Sequence, residues 1–136
     1  MNQRNLAISY MKKANVRFQM LEFLLSKEAF SDVIREAQEV VELVTKAMLR
    51  LRGIDPPKFH DVSFLFIEHK ESFPEIGEDE IERLVRISKK LRKERELAFY
   101  GDIDFIPTEE YTNEDAKFAI EETKFVIELA YRLLSE

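Results

Sequence analysis

The chain has no cysteine. That absence excludes disulfides, thiolate catalysis and cysteine-ligated zinc together. Glycine and proline are scarce, three and four in 136 residues. Little punctuation is left for the many turns of a β protein, and three scattered glycines cannot build a phosphate-cradling loop. No run approaches the roughly 18 apolar residues of a membrane span. The opening MNQRNLAISYMKK carries no apolar secretory segment. A cytoplasmic protein without membrane contact is therefore expected. His60 and His69 are the two histidines, nine positions apart, and neither has a partner at metal-ligand spacing. No metal site and no cofactor is expected. His60 reads better as a packing or helix-start residue than as a catalyst.

What is present suits a helical protein. Apolar residues make up 45% and charged residues 35%, and residues 1–136 are long enough to form one domain around one core. The formal charge is −6. An acidic balance argues against bulk, non-specific DNA binding but leaves room for a local site for RNA or a nucleotide.

Apolar periodicity places four long helices. Residues 4–26 carry a broad apolar face through Ala7, Met11, Ala14, Phe18 and Leu21. Residues 32–52 follow, with Ser31 or Asp32 as the expected N-cap. Here Val33, Ala37, Val40, Val44, Ala47 and Leu51 form one line, and Ile34, Val41 and Met48 form a second. So wide an arc suggests several neighbouring helices, one of them from another subunit. Gly53 stands where a helix-ending glycine belongs, and Pro56-Pro57 prevents resumption. Residues 58–72 hold a short helix. Residues 78–80 are an acidic first turn, favourable at the positive end of a helix dipole. Residues 101–111 read as a loop, and Thr112 with Asp115 forms a capping box for a last helix running to about Leu134. The fold class is all-α: an antiparallel four-helix up-down bundle with an additional short helix. In such a bundle the pair Glu39 and Glu42 on the second helix carries no specific signal.

The third long helix is different. Ile81, Leu84, Ser88, Leu91, Arg95 and Ala98 share one inward line. An arginine on such a line needs a cleft shared with a second subunit or an anionic partner, an acid such as Glu39, inside one bundle. From Arg83 to Arg95 seven basic residues face one acid, Glu94. Ser88, Lys89, Arg92 and Arg95 are the candidate ligand-binding residues. A charge run is most often a solvated face, but arginine suits bidentate phosphate contact. Tyr100, at the same helix end, offers a phenol; with a reference pKa of about 10 a phenol is a weak general base. Arg95 and Tyr100 are the candidate catalytic pair, easier to argue as anion binders than as catalysts.

Two blocks carry a family resemblance. REAQEVVELVTKAMLRLRGIDPPKFHDV, residues 35–62, resembles the second-helix signature of HEPN domains, and RKERELAFYGD, residues 92–102, resembles their motif helix. The resemblance implies a dimeric helical bundle, with two motif copies meeting at the dimer cleft. Many members pair with a minimal nucleotidyltransferase in a toxin–antitoxin-like system. Active members are metal-independent ribonucleases with an Arg-x4-His motif. Arg95 matches the arginine, Tyr100 stands at the histidine, and no histidine follows His69. Asp102 stands where a variant of the motif has tyrosine. The expected function is nucleotide or RNA binding as a homodimer partnered by a nucleotidyltransferase. The alternatives are a ribonuclease with a divergent Arg/Tyr centre and a non-catalytic helical interaction module.

Overall fold

A computed structural model describes residues 2–58 and 61–135. His60 lies outside the described residues. Four long helices dominate: α1 (Asn2–Ser26), α2 (Phe30–Leu51), α4 (Glu78–Phe99) and α6 (Asn113–Leu134). Two single-turn helices, α3 (Phe64–Glu68) and α5 (Pro107–Glu110), and a 3₁₀ turn (Lys70–Ser72) join them. Among the described residues there is no β-strand, and no helix is long and apolar enough to cross a membrane. The expected all-α bundle stands.

Ion pairs between helices show their relative directions. Arg17 in the second half of α1 meets Glu36 in the first half of α2 at 2.9 Å. Arg95 near the end of α4 meets Glu39 of α2. Arg132 near the end of α6 meets Glu80 at the start of α4. Along this series each helix runs antiparallel to the one before, which leaves α2 and α6, packed on each other, parallel.

The central helix is α2, which packs against α1, α4 and α6. Val33, Ala37, Val40, Val44, Ala47 and Met48 are all buried. Fully burying a valine or methionine contributes about 1.5–3 kcal/mol, so this stripe anchors the bundle. The wide arc that suggested a second subunit is satisfied inside one chain. The three intramolecular neighbours cover it. Phe66 and Phe73, fully buried with ring centroids 4.9 Å apart, close the core beneath the bundle.

Helix ends follow local chemistry, with two departures from expectation. The start of α2 lies before Ser31: Ala29 is the N-cap, without a side-chain hydrogen bond. The cause is the preceding turn. Glu28 adopts φ +56°, the Glu28 N–H donates to the Leu25 carbonyl, and the Ala29 N–H donates to that of Leu24. This left-handed closure ends α1 and launches α2 at once, leaving Ser31 buried inside the helix. The second departure is α5, which occupies part of the expected 101–111 loop; Pro107 supplies a preset φ at its first position.

Other ends match the sequence. Gly53 has φ +72° and donates to the Arg50 carbonyl, while Ile54 donates to that of Leu49. Thr112 and Asp115 exchange both bonds of the capping box, at 2.9 and 3.1 Å. At the start of α4 the Gly77 N–H donates to the Glu80 carboxylate at 2.9 Å.

Candidate nucleic-acid interface

Because α2 packs on α6, its opposite stripe faces outward between α1 and α4. That stripe reads Arg35, Glu36, Glu39, Glu42, Leu43 and Lys46, and every member is partly exposed. These residues form the floor of a groove whose walls are α1 and α4. One part, about 440 Å³, is bounded by Tyr10 of α1, by Lys58, and by Arg92 and Arg95 of α4. The next part, about 390 Å³, is bounded by Lys13 and Arg17 of α1 and Phe99 of α4. The two parts share Glu39 and Leu43 and so run on as one groove. Seven basic side chains line it against three carboxylates, Glu36, Glu39 and Glu42. On a chain of formal charge −6, this is a concentrated positive surface.

The carboxylates organise the cations. Glu39 Oε1 lies 3.5 Å from Arg95 Nη2 and 3.6 Å from Arg35 Nη2, holding two guanidinium groups at once. Arg35 also lies over the Phe99 ring, 4.7 Å from its centroid, a favourable cation–π geometry. Glu36 accepts from Arg17, and that hydrogen bond raises the arginine's pKa further. Glu42 pairs with Lys46 at 3.3 Å. Chemically, the groove offers bidentate donors in fixed positions and two aromatic rings, Tyr10 and Phe99, at its walls. Such a combination suits a phosphate-bearing strand with bases that stack.

The expected site residues divide. Arg92 and Arg95 line the groove. Ser88 is buried and donates to Asp61 Oδ1 at 3.3 Å. The same Asp61 carboxylate accepts from the Ser63 backbone N–H and hydroxyl, at 3.0 and 2.7 Å. Ser88 therefore ties the segment before α3 to α4. Lys89 is exposed and borders none of the cavities described. Tyr100 is the C-cap of α4, 75% exposed, with its ring edge-on to Phe99 at 4.9 Å. It lies five positions after Arg95, which rotates it well off the arginine's face.

Sequence reasoning missed the α1 wall and the α2 floor. Tyr10, Lys13, Arg17, Arg35, Lys46 and Lys58 join the site only through packing. A signal was present: the polar residues of α2 at 35, 39, 42 and 46 recur at helical spacing on an otherwise apolar helix. The rest of α4's charge goes elsewhere. Arg83 lies over Phe125 at 3.9 Å and Lys90 over Phe118 at 4.8 Å, both on α6.

The family model of the HEPN domain matches residues 8–133. No curated protein matches the chain. The match takes in the greater part of all four long helices and every residue of the basic groove, and the chain belongs to the HEPN domain family.

Proposed function

We propose that this HEPN protein binds RNA or a nucleotide through the groove between α1 and α4, with Arg95 and Arg92 as principal phosphate contacts. One observation carries the reading: seven basic side chains and two rings line a continuous groove on an acidic chain. Net charge alone would repel nucleic acid, so attraction has to be local. Membership in the HEPN family supports the same class of ligand.

The whole chain acts in this proposal as one HEPN-like unit within a homodimer, paired with a minimal nucleotidyltransferase in a toxin–antitoxin-like system. Arg95 has an in-chain partner in Glu39, and the apolar arc of α2 is covered, so neither argues for the dimer. Its support is the family and the apolar end of α4, where Phe99, Tyr100, Ile103 and Ile106 are all exposed. Exposed apolar clusters of this kind mark interaction sites.

Binding is favoured over cleavage. Tyr100 stands outside the residues that line the groove, and its phenol replaces the histidine of the active family motif. The test is fluorescence anisotropy with a short single-stranded oligoribonucleotide. Affinity should fall with added salt, and Arg95→Ala should weaken it about tenfold. An affinity independent of both salt and Arg95 would refute the reading. Sedimentation tests the dimer separately.

A further inference from the structure

The outer face of α1 carries an apolar stripe. Val16, Met20 and Phe23 recur there at helical spacing, and all three are exposed. Cations border the stripe. Lys12, Lys13 and Arg17 line a hollow of about 430 Å³ together with Val16 and Met20, and Lys27 lies over the Phe23 ring, 5.6 Å from its centroid. Glu22 is the one acid of α1, and it borders a different hollow, toward α6, with Lys117 and Lys124. Lys12, Lys13 and Lys27 have no ion pair among the described residues.

The opposite chemistry stands just past the end of α4. Residues 99–110 hold four acids, Asp102, Asp104, Glu109 and Glu110, and no base. None of the four has an ion pair among the described residues. Ile103 stands at the tip, 92% exposed, and with Phe99, Tyr100 and Ile106 it makes an apolar cluster rather than a lone exposed side chain. The turn that carries it is firmly built. Asp102 and Phe105 exchange both backbone hydrogen bonds, at 2.9 and 3.0 Å, and the Phe105 ring packs edge-on to Tyr111. A fixed turn therefore holds an isoleucine out in water, beside acids.

The two patches flank one compartment of the groove. Phe99 bounds it on one side and Lys13 and Arg17 on the other, and the same Lys13 and Arg17 border the hollow on α1. Within one chain the groove separates the tip from the stripe. A two-fold rotation about an axis through the groove mouth sets each tip against the stripe of a second copy. The contact is then made twice and the assembly closes at two chains. Opposite charges at the rim fix the register, and the apolar residues supply the burial.

We propose that this chain forms a reciprocal homodimer, in which the acidic Ile103 tip of each copy docks on the cationic stripe of Val16, Met20 and Phe23 of the other. The inference rests on the homodimer of the proposed function and names the surface that builds it.

The experiment is charge reversal, read by sedimentation velocity of the intact chain. One variant carries Lys12→Glu and Lys27→Glu on the stripe; the other carries Asp104→Lys and Glu109→Lys at the tip. All four side chains are exposed and none lines the groove, and circular dichroism checks the fold. In either variant the reversed charges face like ones at both contacts, so each should dimerise at least about tenfold more weakly than the wild type. Mixed one to one, the two variants put opposite charges back at both contacts and should recover the dimer. Ile103→Ser should weaken dimerisation about tenfold. A dimer that persists in both variants overturns the proposal and leaves the homodimer on another surface; a wild type that is monomeric at micromolar concentration removes both. Loss in each variant without recovery in the mixture also overturns it. So does a monomeric wild type that co-sediments with vesicles of phosphatidylserine and phosphatidylcholine when the stripe variant does not, since the stripe then belongs to a membrane surface. Arg95-dependent RNA binding, measured in the same variants, reports on the groove separately.

Discussion

Glu39 Oε1 sits between two arginines, 3.5 Å from Arg95 and 3.6 Å from Arg35, and so holds a phosphate-like position on the floor of the groove. A carboxylate there both orders the guanidinium groups and competes with any incoming phosphate. Which effect dominates is a matter of magnitude. Partly exposed ion pairs are worth about 0–1 kcal/mol, less than a charge-assisted phosphate contact of about 1.5–3 kcal/mol. Glu39→Gln should therefore tighten RNA binding by about threefold, while Arg95→Ala loosens it. The two changes should also differ in salt dependence: Arg95→Ala should lower the slope of log affinity against log salt by about 1. Anisotropy titrations over a salt series check both signs. Weaker binding in Glu39→Gln would mean that ordering matters more than competition.

Tyr100 caps α4 in the open, its ring against Phe99. Wild-type protein should cleave RNA slowly or not at all without metal. Tyr100→His restores the residue type of the family motif and should raise cleavage if two chains bring their α4 ends together. The check is gel analysis of a labelled RNA in the presence of a chelator. Robust wild-type cleavage lost in Tyr100→Phe would reverse the preference for binding over catalysis.

Val44 is fully buried in the central stripe of α2. Val44→Asp places an unpaired charge there and should cost at least about 3 kcal/mol. That corresponds to a melting temperature lower by roughly 10 °C for a chain of this size. An unchanged melt by circular dichroism would contradict the packing of α2.

Three turns make opposite predictions from one cause. Gly53 has φ +72° with open space around its α-carbon, so Gly53→Ala should cost only about 1 kcal/mol of backbone strain. Gly101 has φ +70°, and an added Cβ would collide with the Phe105 carbonyl and the Pro107 ring. Gly101→Ala should cost at least about 2 kcal/mol. Glu28 holds φ +56° without being glycine, so Glu28→Gly should stabilise by roughly 0.5–1 kcal/mol. Urea melts rank all three.

Glu80 links the start of α4 to the end of α6. It accepts two bonds from Arg132, at 2.7 and 2.8 Å, and one from the Gly77 N–H. The Arg132 hydrogen bonds, then that backbone bond, lower its pKa from 4.5 to about 2. A carboxylate with a depressed folded pKa stabilises above its unfolded pKa and loses that contribution as pH falls through the folded one. Stability should therefore decline between about pH 4.5 and about pH 2. With solvent screening the contribution is about 1 kcal/mol. Glu80→Gln should remove that part of the acid dependence, as melts at pH 7 and pH 3 would show.

The linear pattern determined the bundle. Helical spacing of Val33 to Leu51 on α2 and Ala116 to Leu133 on α6 dictates which faces are buried, because burial of those faces dominates the free energy. Gly53 and the Thr112–Asp115 box mark their helix ends locally, within a few residues, so no tertiary information was needed. Arg95 was legible too, as a charge on an apolar line. What surrounds it was not. Glu39, 56 positions away, could be named as a possible in-bundle partner from its place on α2, but Arg17 is 78 positions away, and nothing local distinguishes it from other charges on solvated faces. The start of α2 was likewise decided by Glu28 and the turn geometry, which overrode the capping preference of Ser31. Only the packing of α1 and α4 on either side of α2 turns three ordinary polar stripes into one basic groove. The physical reason is that charge patterning costs little to vary on a helix surface, so its meaning depends on which surfaces the buried faces bring together.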